Sequence, residues 1–201
     1  MKDYDILFFI GRFAPFHRGH RSVVDYGLQR SNKVCLLIGS SQEHSTPRNP
    51  FSLMDRMDMV DAGLEDIWYN IDYASLVDYP NEDHLWAQQV RDIIKDKTEE
   101  FYEQNTSGIR IGLLGYEKDA TSYYLKLFPE LEFVAAPAYG DISATQVREK
   151  IFRHIKDNTP VSLLDYCSEN VEVHIDVMIT LRDECLFKAS EEYWKEKENA
   201  R

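Results

Sequence analysis

Apolar residues in this chain fall into short runs separated by longer stretches of mixed character. Residues 4–10 are mostly apolar and aromatic, and Gly11 and Pro15 stop them, a pattern that predicts a buried strand. Residues 33–39 and 109–114 read as further buried strands, residues 131–135 as another, and the segment 76–86 as the end of one more. Helices are expected over residues 17–30, 52–63, 84–104, 120–128 and 143–155, with Asp83 as the N-cap of the third. Continuous apolar strands separated by helical stretches imply parallel strands with crossovers, so the expected architecture is α/β with a doubly wound parallel sheet. Ligands in such sheets bind beyond the carboxyl ends of the strands, which makes the loops after Gly11 and Gly39 the first place to look for chemistry.

Composition narrows the picture. A chain of 201 residues, 43% hydrophobic, suits one main domain, expected over residues 1–158, with residues 159–201 as a C-terminal extension and not an independent domain. Within that extension, residues 171–181 fit either a strand or a buried helix, and the charged run 188–201 reads as a solvated helix end. Cys35, Cys167 and Cys185 are widely spaced and odd in number, without paired metal spacing or a signal segment, so a reducing compartment, the cytoplasm, is expected. No apolar run is long enough to cross a bilayer, so no membrane partner is expected. The net charge of −12 speaks against nucleic acid as a partner. Residues 1–50 nevertheless hold seven Lys/Arg against four Asp/Glu, a local excess suited to anionic substrates.

That excess surrounds Gly11-Arg12-Phe13-Ala14-Pro15-Phe16-His17-Arg18-Gly19-His20. His17 and His20 share a face on the first turn of a helix whose unpaired N–H groups already attract anions. Gly19 allows close backbone approach, and Arg12 offers a planar fork for phosphate oxygens. The glycine spacing is not that of a dinucleotide fingerprint, and no Gly-Lys-Ser/Thr of a Walker loop follows.

His17-Arg18-Gly19-His20 after the first strand resembles the His-x-Gly-His mark of the nucleotidylyltransferase superfamily, which implies a Rossmann-like sheet of that type. Gly-Arg-Phe-x-Pro-Phe-His further resembles the nicotinamide mononucleotide adenylyltransferases of archaeal type and of the bifunctional bacterial type fused to a Nudix domain. No Nudix box is present in the chain, so that second activity is expected to be absent. The resemblance spans roughly residues 4–155.

Other motifs extend it. The run from Gly39 to Phe51 reads alone as a surface loop, in which the resemblance assigns Ser40 and Arg48 to substrate phosphate and leaves His44 solvated. Trp86 is either core or, by the resemblance, the ring that stacks on nicotinamide with Asp78 near it. Gly115-Tyr116-Glu117-Lys118-Asp119 ahead of Tyr123 and Tyr124 resembles the bifunctional type and reads either as an ordinary loop with an Asp119 helix cap and the tyrosines packed on the sheet, or as Gly115 and Lys118 approaching the nucleotide. Ile142-Ser143-Ala144-Thr145-Gln146-Val147-Arg148 resembles the family's Ile-Ser-x-Thr-x-x-Arg signature. Independently, Ser143 and Gln146 form a capping box whose helix start favours phosphate, with Arg148 on the face of Thr145.

The resemblance implies transfer of AMP from ATP to nicotinamide mononucleotide, giving NAD and pyrophosphate. His17, His20, Arg12 and Arg148 are the expected catalytic residues. ATP is expected at Gly11, Phe13, Gly19, Gly115, Ser143 and Thr145, and nicotinamide mononucleotide at Ser40, Arg48, Asp78 and Trp86. Mg²⁺ bridging the ATP phosphates is the expected cofactor, with no protein metal ligand. Alternatives are nicotinate mononucleotide or another phosphorylated acceptor, or a nucleotide sensor without turnover. A homo-oligomer is compatible with the sequence.

Overall fold

The structure, a computed structural model, describes residues 2–102, 108–116, 122–160 and 162–200, the side chains of 122–124 excepted. The chain forms two compact units, the first comprising Met1–Gly11, Ser22–Ser40 and Ile67–Ala138, the second Arg12–Arg21, Ser41–Asp66 and Tyr139–Arg201.

The first unit holds a five-stranded sheet in the order β3-β2-β1-β4-β5, every neighbouring pair parallel. The strands are β1 (Tyr4–Gly11), β2 (Ser31–Ile38), β3 (Ile71–Ser75), β4 (Ile111–Tyr116) and β5 (Glu132–Ala136). The first strand sits at the centre, Phe8 pairing with Cys35 on one side and Leu113 on the other. Sheet order reverses at β1, the doubly wound arrangement that the alternation of strands and helices implied.

Strand periodicity sorts side chains between two faces. Ile6, Phe8, Cys35, Leu37 and Leu113 pack with Ala87, Val90 and Ile94 of helix α3 (Asp83–Phe101) and with Phe128. The opposite face meets helix α1 (Arg18–Arg30) at Gly27, where an added Cβ would lie 2.5 Å from Leu114 and 3.0 Å from Val34. Glu82, not Asp83, occupies the N-cap position of α3, and no side chain caps it. Near the expected fourth helix, the described backbone is a 3-10 segment, Ser122–Leu127.

The second unit is helical. Helix α2 (Leu53–Leu64) begins with a capping box between Ser52 and Asp55 and buries Met59, Val60 and Leu64. Helix α4 (Ala144–Asp157) starts with the Ser143–Gln146 capping box read from the sequence. Residues 171–181 resolve as a helix, α5 (Glu169–Thr180), capped by Ser168, and α6 (Glu184–Asn199) follows under the Asp183 cap. Helix α6 lies against α4, with the Tyr193 and Phe152 rings 5.1 Å apart and Trp194 donating to the Phe152 carbonyl.

Candidate active site

In the second unit, the segment after β1 is held in an unusual backbone path. Phe13 has φ +51° and is fully buried, so packing holds a residue with a Cβ in a left-handed conformation. Phe16 is also buried, against Gly63 of α2, where a Cβ would stand 2.6 Å from its ring. These two phenylalanines anchor the chain on the amino-terminal side of His17.

His17 and His20 bind one another reciprocally. The His20 main-chain N–H donates to His17 Nδ1 and the His17 N–H donates to His20 Nδ1, both at 3.3 Å, and the rings stack with centroids 3.6 Å apart and planes 17° off parallel. A ring nitrogen that accepts an N–H carries no proton, so each neutral imidazole has its hydrogen on Nε2. Burial lowers the His17 pKa from 6.5 to about 4 and holds His20 well below its ordinary value, with the neighbouring ring adding to the fall. The pair therefore carries two neutral Nε2–H groups at neutral pH.

Positive charge comes from arginines. Arg148 is buried and donates from Nη1 to the Ala14 carbonyl at 2.8 Å, from Nε to the Pro47 carbonyl at 3.1 Å and from Nη2 to Thr145 Oγ1 at 3.1 Å. It thus ties α4 to the stretch before His17 and to the loop before α2. Burial first, then the charges of Arg12 and Arg48, pull its pKa down to about 10, which leaves it charged at neutral pH. Like charges gathered at a partly desolvated place favour an anion between them.

Arg12 donates from Nη1 to Asn49 Oδ1 at 3.4 Å and to the Arg48 carbonyl at 3.5 Å, the long end of hydrogen bonding. Asn49 is fully buried, passing a second hydrogen bond from Nδ2 to Glu43 Oε2 at 2.6 Å and one from its main-chain N–H to Thr46 Oγ1 at 3.1 Å. Arg56 of α2, also fully buried, donates to the Arg12 and Ser52 carbonyls. Sequence reasoning passed over both residues. A signal existed for Arg56, which shares the buried face of α2 with Met59, Val60 and Gly63 at helical spacing. Asn49 gave none, lying among turn formers.

The second unit thus contains Arg12, Phe13, His17, Gly19, His20, Arg48, Ser143, Thr145 and Arg148 of the expected site residues. Gly11, Ser40, Asp78, Trp86 and Gly115 belong to the first. There the Gly11 carbonyl accepts the Gly39 N–H at 2.9 Å, joining the ends of β1 and β2. Ser40 follows, buried and at φ +51°. Trp86, on the first turns of α3, is half-buried with its ring 5.9 Å from Phe128, so it has a packing role whatever else it does. Gly115 lies under the Phe133 ring, 3.3 Å from where its Cβ would be. Lys118 and the side chains of Tyr123 and Tyr124 lie outside the described residues. His44 is exposed, as expected, with Nδ1 2.9 Å from Ser45 Oγ and 3.5 Å from Cys185 Sγ.

Among the described residues, no cluster of three or more His, Cys, Asp or Glu side chains is arranged to hold a metal ion. The donors described above are N–H groups, which suit phosphate oxygens and not a cation. Among the same residues, no helix is long and apolar enough to cross a membrane.

Comparison with known proteins agrees with this chemistry. The cytidylyltransferase-like family model matches residues 8–150. The nicotinamide/nicotinic acid mononucleotide adenylyltransferase of Acinetobacter baylyi is 35% identical over 154 residues, 76% of this chain and 78% of that protein. A bifunctional NMN adenylyltransferase/ADP ribose pyrophosphatase from Francisella tularensis, crystallised with AMP and a Mn ion, superposes with a TM-score of 0.75 at 26% identity. That match covers 94% of this chain and 53% of the Francisella chain, so the present sequence spans about half the length of that neighbour. The chain belongs to the cytidylyltransferase-like family of nucleotidyltransferases, and its curated relatives include proteins named nicotinamide-nucleotide adenylyltransferase.

Proposed function

We propose that this protein transfers the adenylyl group of ATP to nicotinamide mononucleotide. A phosphate oxygen of the mononucleotide attacks the α-phosphorus in line, the bond from that phosphorus to the α–β bridging oxygen breaks, and NAD and pyrophosphate result. No protein nucleophile takes part. Catalysis is positioning together with stabilisation of charge as it builds on the phosphate oxygens. The observation that carries this reading is the reciprocal His17–His20 pair beside the Arg12, Arg48 and Arg148 charges.

Each residue has a distinct task in this scheme. The two Nε2–H groups hold oxygens of the α- and β-phosphates, and Arg12 and Arg148 hold the leaving pyrophosphate. The start of α4, with Ser143 and Thr145, supplies N–H groups and a favourable helix dipole. Gly11, Phe13, Gly19 and Gly115 shape the ATP side. Ser40 and Arg48 take the mononucleotide phosphate, and Trp86 with Asp78 takes the cationic nicotinamide ring. Mg²⁺ would arrive with the ATP substrate and would offset the charge of its phosphates, and no protein ligand is assigned to it. The cytoplasm, where ATP is abundant, suits a chain whose three cysteines are all free thiols.

Pyrophosphate release, measured with ATP or CTP against nicotinamide and nicotinate mononucleotides, tests the proposal. Release with ATP and nicotinamide mononucleotide, with NAD formed in equal amount, supports it. Binding of ATP without release under any pairing overturns it in favour of a sensor. Activity with nicotinate mononucleotide is a second reading, favoured by the dual name of the Acinetobacter relative.

A further inference from the structure

Residues 163–167 lie outside every motif recognised in the sequence, yet they bind the peptide groups on both sides of His17. Cys167, fully buried, donates its S–H to the Phe16 carbonyl at 3.4 Å. The Arg18 N–H donates to the Tyr166 carbonyl at 2.7 Å, and Arg18 Nε donates to the Leu164 carbonyl at 2.9 Å. The turn is itself fixed: Tyr166 and Cys167 N–H groups both reach the Leu163 carbonyl at 2.8 Å, and Leu163 N–H reaches Glu172 of α5 at 2.7 Å. Lys150 of α4 lies over the Tyr166 ring, 5.1 Å from its centre.

Peptide planarity gives these contacts a chemical consequence. The Phe16 carbonyl and the His17 N–H belong to one rigid plane, so holding the oxygen aims the N–H that His20 Nδ1 accepts. The Arg18 N–H shares its plane with the His17 carbonyl, which accepts the Arg21 N–H at 3.0 Å. We propose that the 163–167 turn is a positioning device for the histidine pair, with Cys167 fixing the peptide that sets the His20 tautomer and Arg18 fastening the next one. Burial, chiefly, raises the Cys167 thiol pKa to about 12, so its S–H persists as a donor across the physiological range. The inference rests on the proposed adenylyl transfer for its kinetic readout, but not for its structural one.

The test uses the full chain with Cys167→Ala, Cys167→Ser, Arg18→Ala and Arg18→Gln. Nitrogen-15 spectra of the histidine rings at pH 7, without ligand, should show the Nε2–H tautomer for both histidines in the unmodified protein. Cys167→Ala should introduce the Nδ1–H form at His20 and lower kcat on the order of tenfold, with KM for both substrates within about twofold. Serine, which keeps a donor, should restore both readouts. Arg18 is exposed, so Arg18→Ala tests the device even where Cys167→Ala fails to fold. It should lower kcat in the same way, with Arg18→Gln, a donor without charge, restoring it. Unchanged ring spectra in Cys167→Ala and in Arg18→Ala would overturn the proposal, as would a serine variant no better than alanine. Should the unmodified protein form no NAD, the functional reading fails while the spectra still decide the role of the turn.

Discussion

His17 and His20 are each other's hydrogen-bond acceptor, Nδ1 of one ring taking the main-chain N–H of the other at 3.3 Å in both directions. Sequence spacing alone placed two imidazoles on one helical turn whose N–H groups attract anions. The structure adds their protonation state. Desolvation lowers both pKa values, so both rings are neutral at neutral pH with hydrogen on Nε2, and the arginines carry the charge.

This has a pH signature. The His17 pKa falls from 6.5 unfolded to about 4 folded, so between these values the unfolded chain binds more protons than the native one. Stability contributed by the neutral ring is therefore complete above about pH 6.5 and lost as pH falls toward 4. Chemical denaturation at several pH values should show the midpoint dropping across this window in the unmodified protein and a shallower drop in His17→Gln. Equal slopes would show that the ring is not held neutral.

Asn49 joins Arg12 to Glu43 from a fully buried position. Asn49→Ala leaves two charged groups without that partner, at a cost of about 1–3 kcal/mol in stability. KM for ATP should rise several-fold because Arg12 loses one of the contacts that aim it. Unchanged melting and KM would reduce Asn49 to a filler of the loop.

Gly63→Ala drives a methyl group into the Phe16 ring, 2.6 Å away. Overpacking of this kind costs about 1–3 kcal/mol. Because Phe16 immediately precedes His17, kcat should fall along with the melting temperature. Loss of stability with kcat intact would separate Phe16 from the site.

Trp86 packs on Phe128, and we propose that it also takes the nicotinamide ring. Trp86→Leu retains apolar bulk and loses the aromatic face. KM for nicotinamide mononucleotide should rise by about tenfold, the scale of a lost cation–π contact, with KM for ATP unchanged. Equal change in both constants would assign Trp86 to the core alone.

Much of the sheet was legible because buried parallel strands are written as continuous apolar runs, and β1, β2, β4 and β5 lie within two residues of expectation at each end. Helix α5 was not, for a physical reason. Val171, Val173, Ile175, Val177 and Ile179 alternate with mostly polar residues as a strand would, while Val171, Ile175 and Met178 also fit a helical face. The helix buries the second set and leaves Val173 and Val177 half exposed. The capping box at Ser143 was readable because it is local. Arg148 was recognised, but its hold on the Ala14 and Pro47 carbonyls joins parts of the chain that no local pattern connects. The same holds for Asn49, whose burial depends on neighbours brought in by folding.

The most direct test is pre-steady-state NAD formation by the unmodified protein and by His20→Ala, with ATP binding measured in parallel. The account predicts a fall in the transfer rate of a hundredfold to a thousandfold, about 3–4 kcal/mol of lost transition-state stabilisation, with ATP affinity changed far less. A transfer rate within a few-fold of the unmodified protein would contradict it.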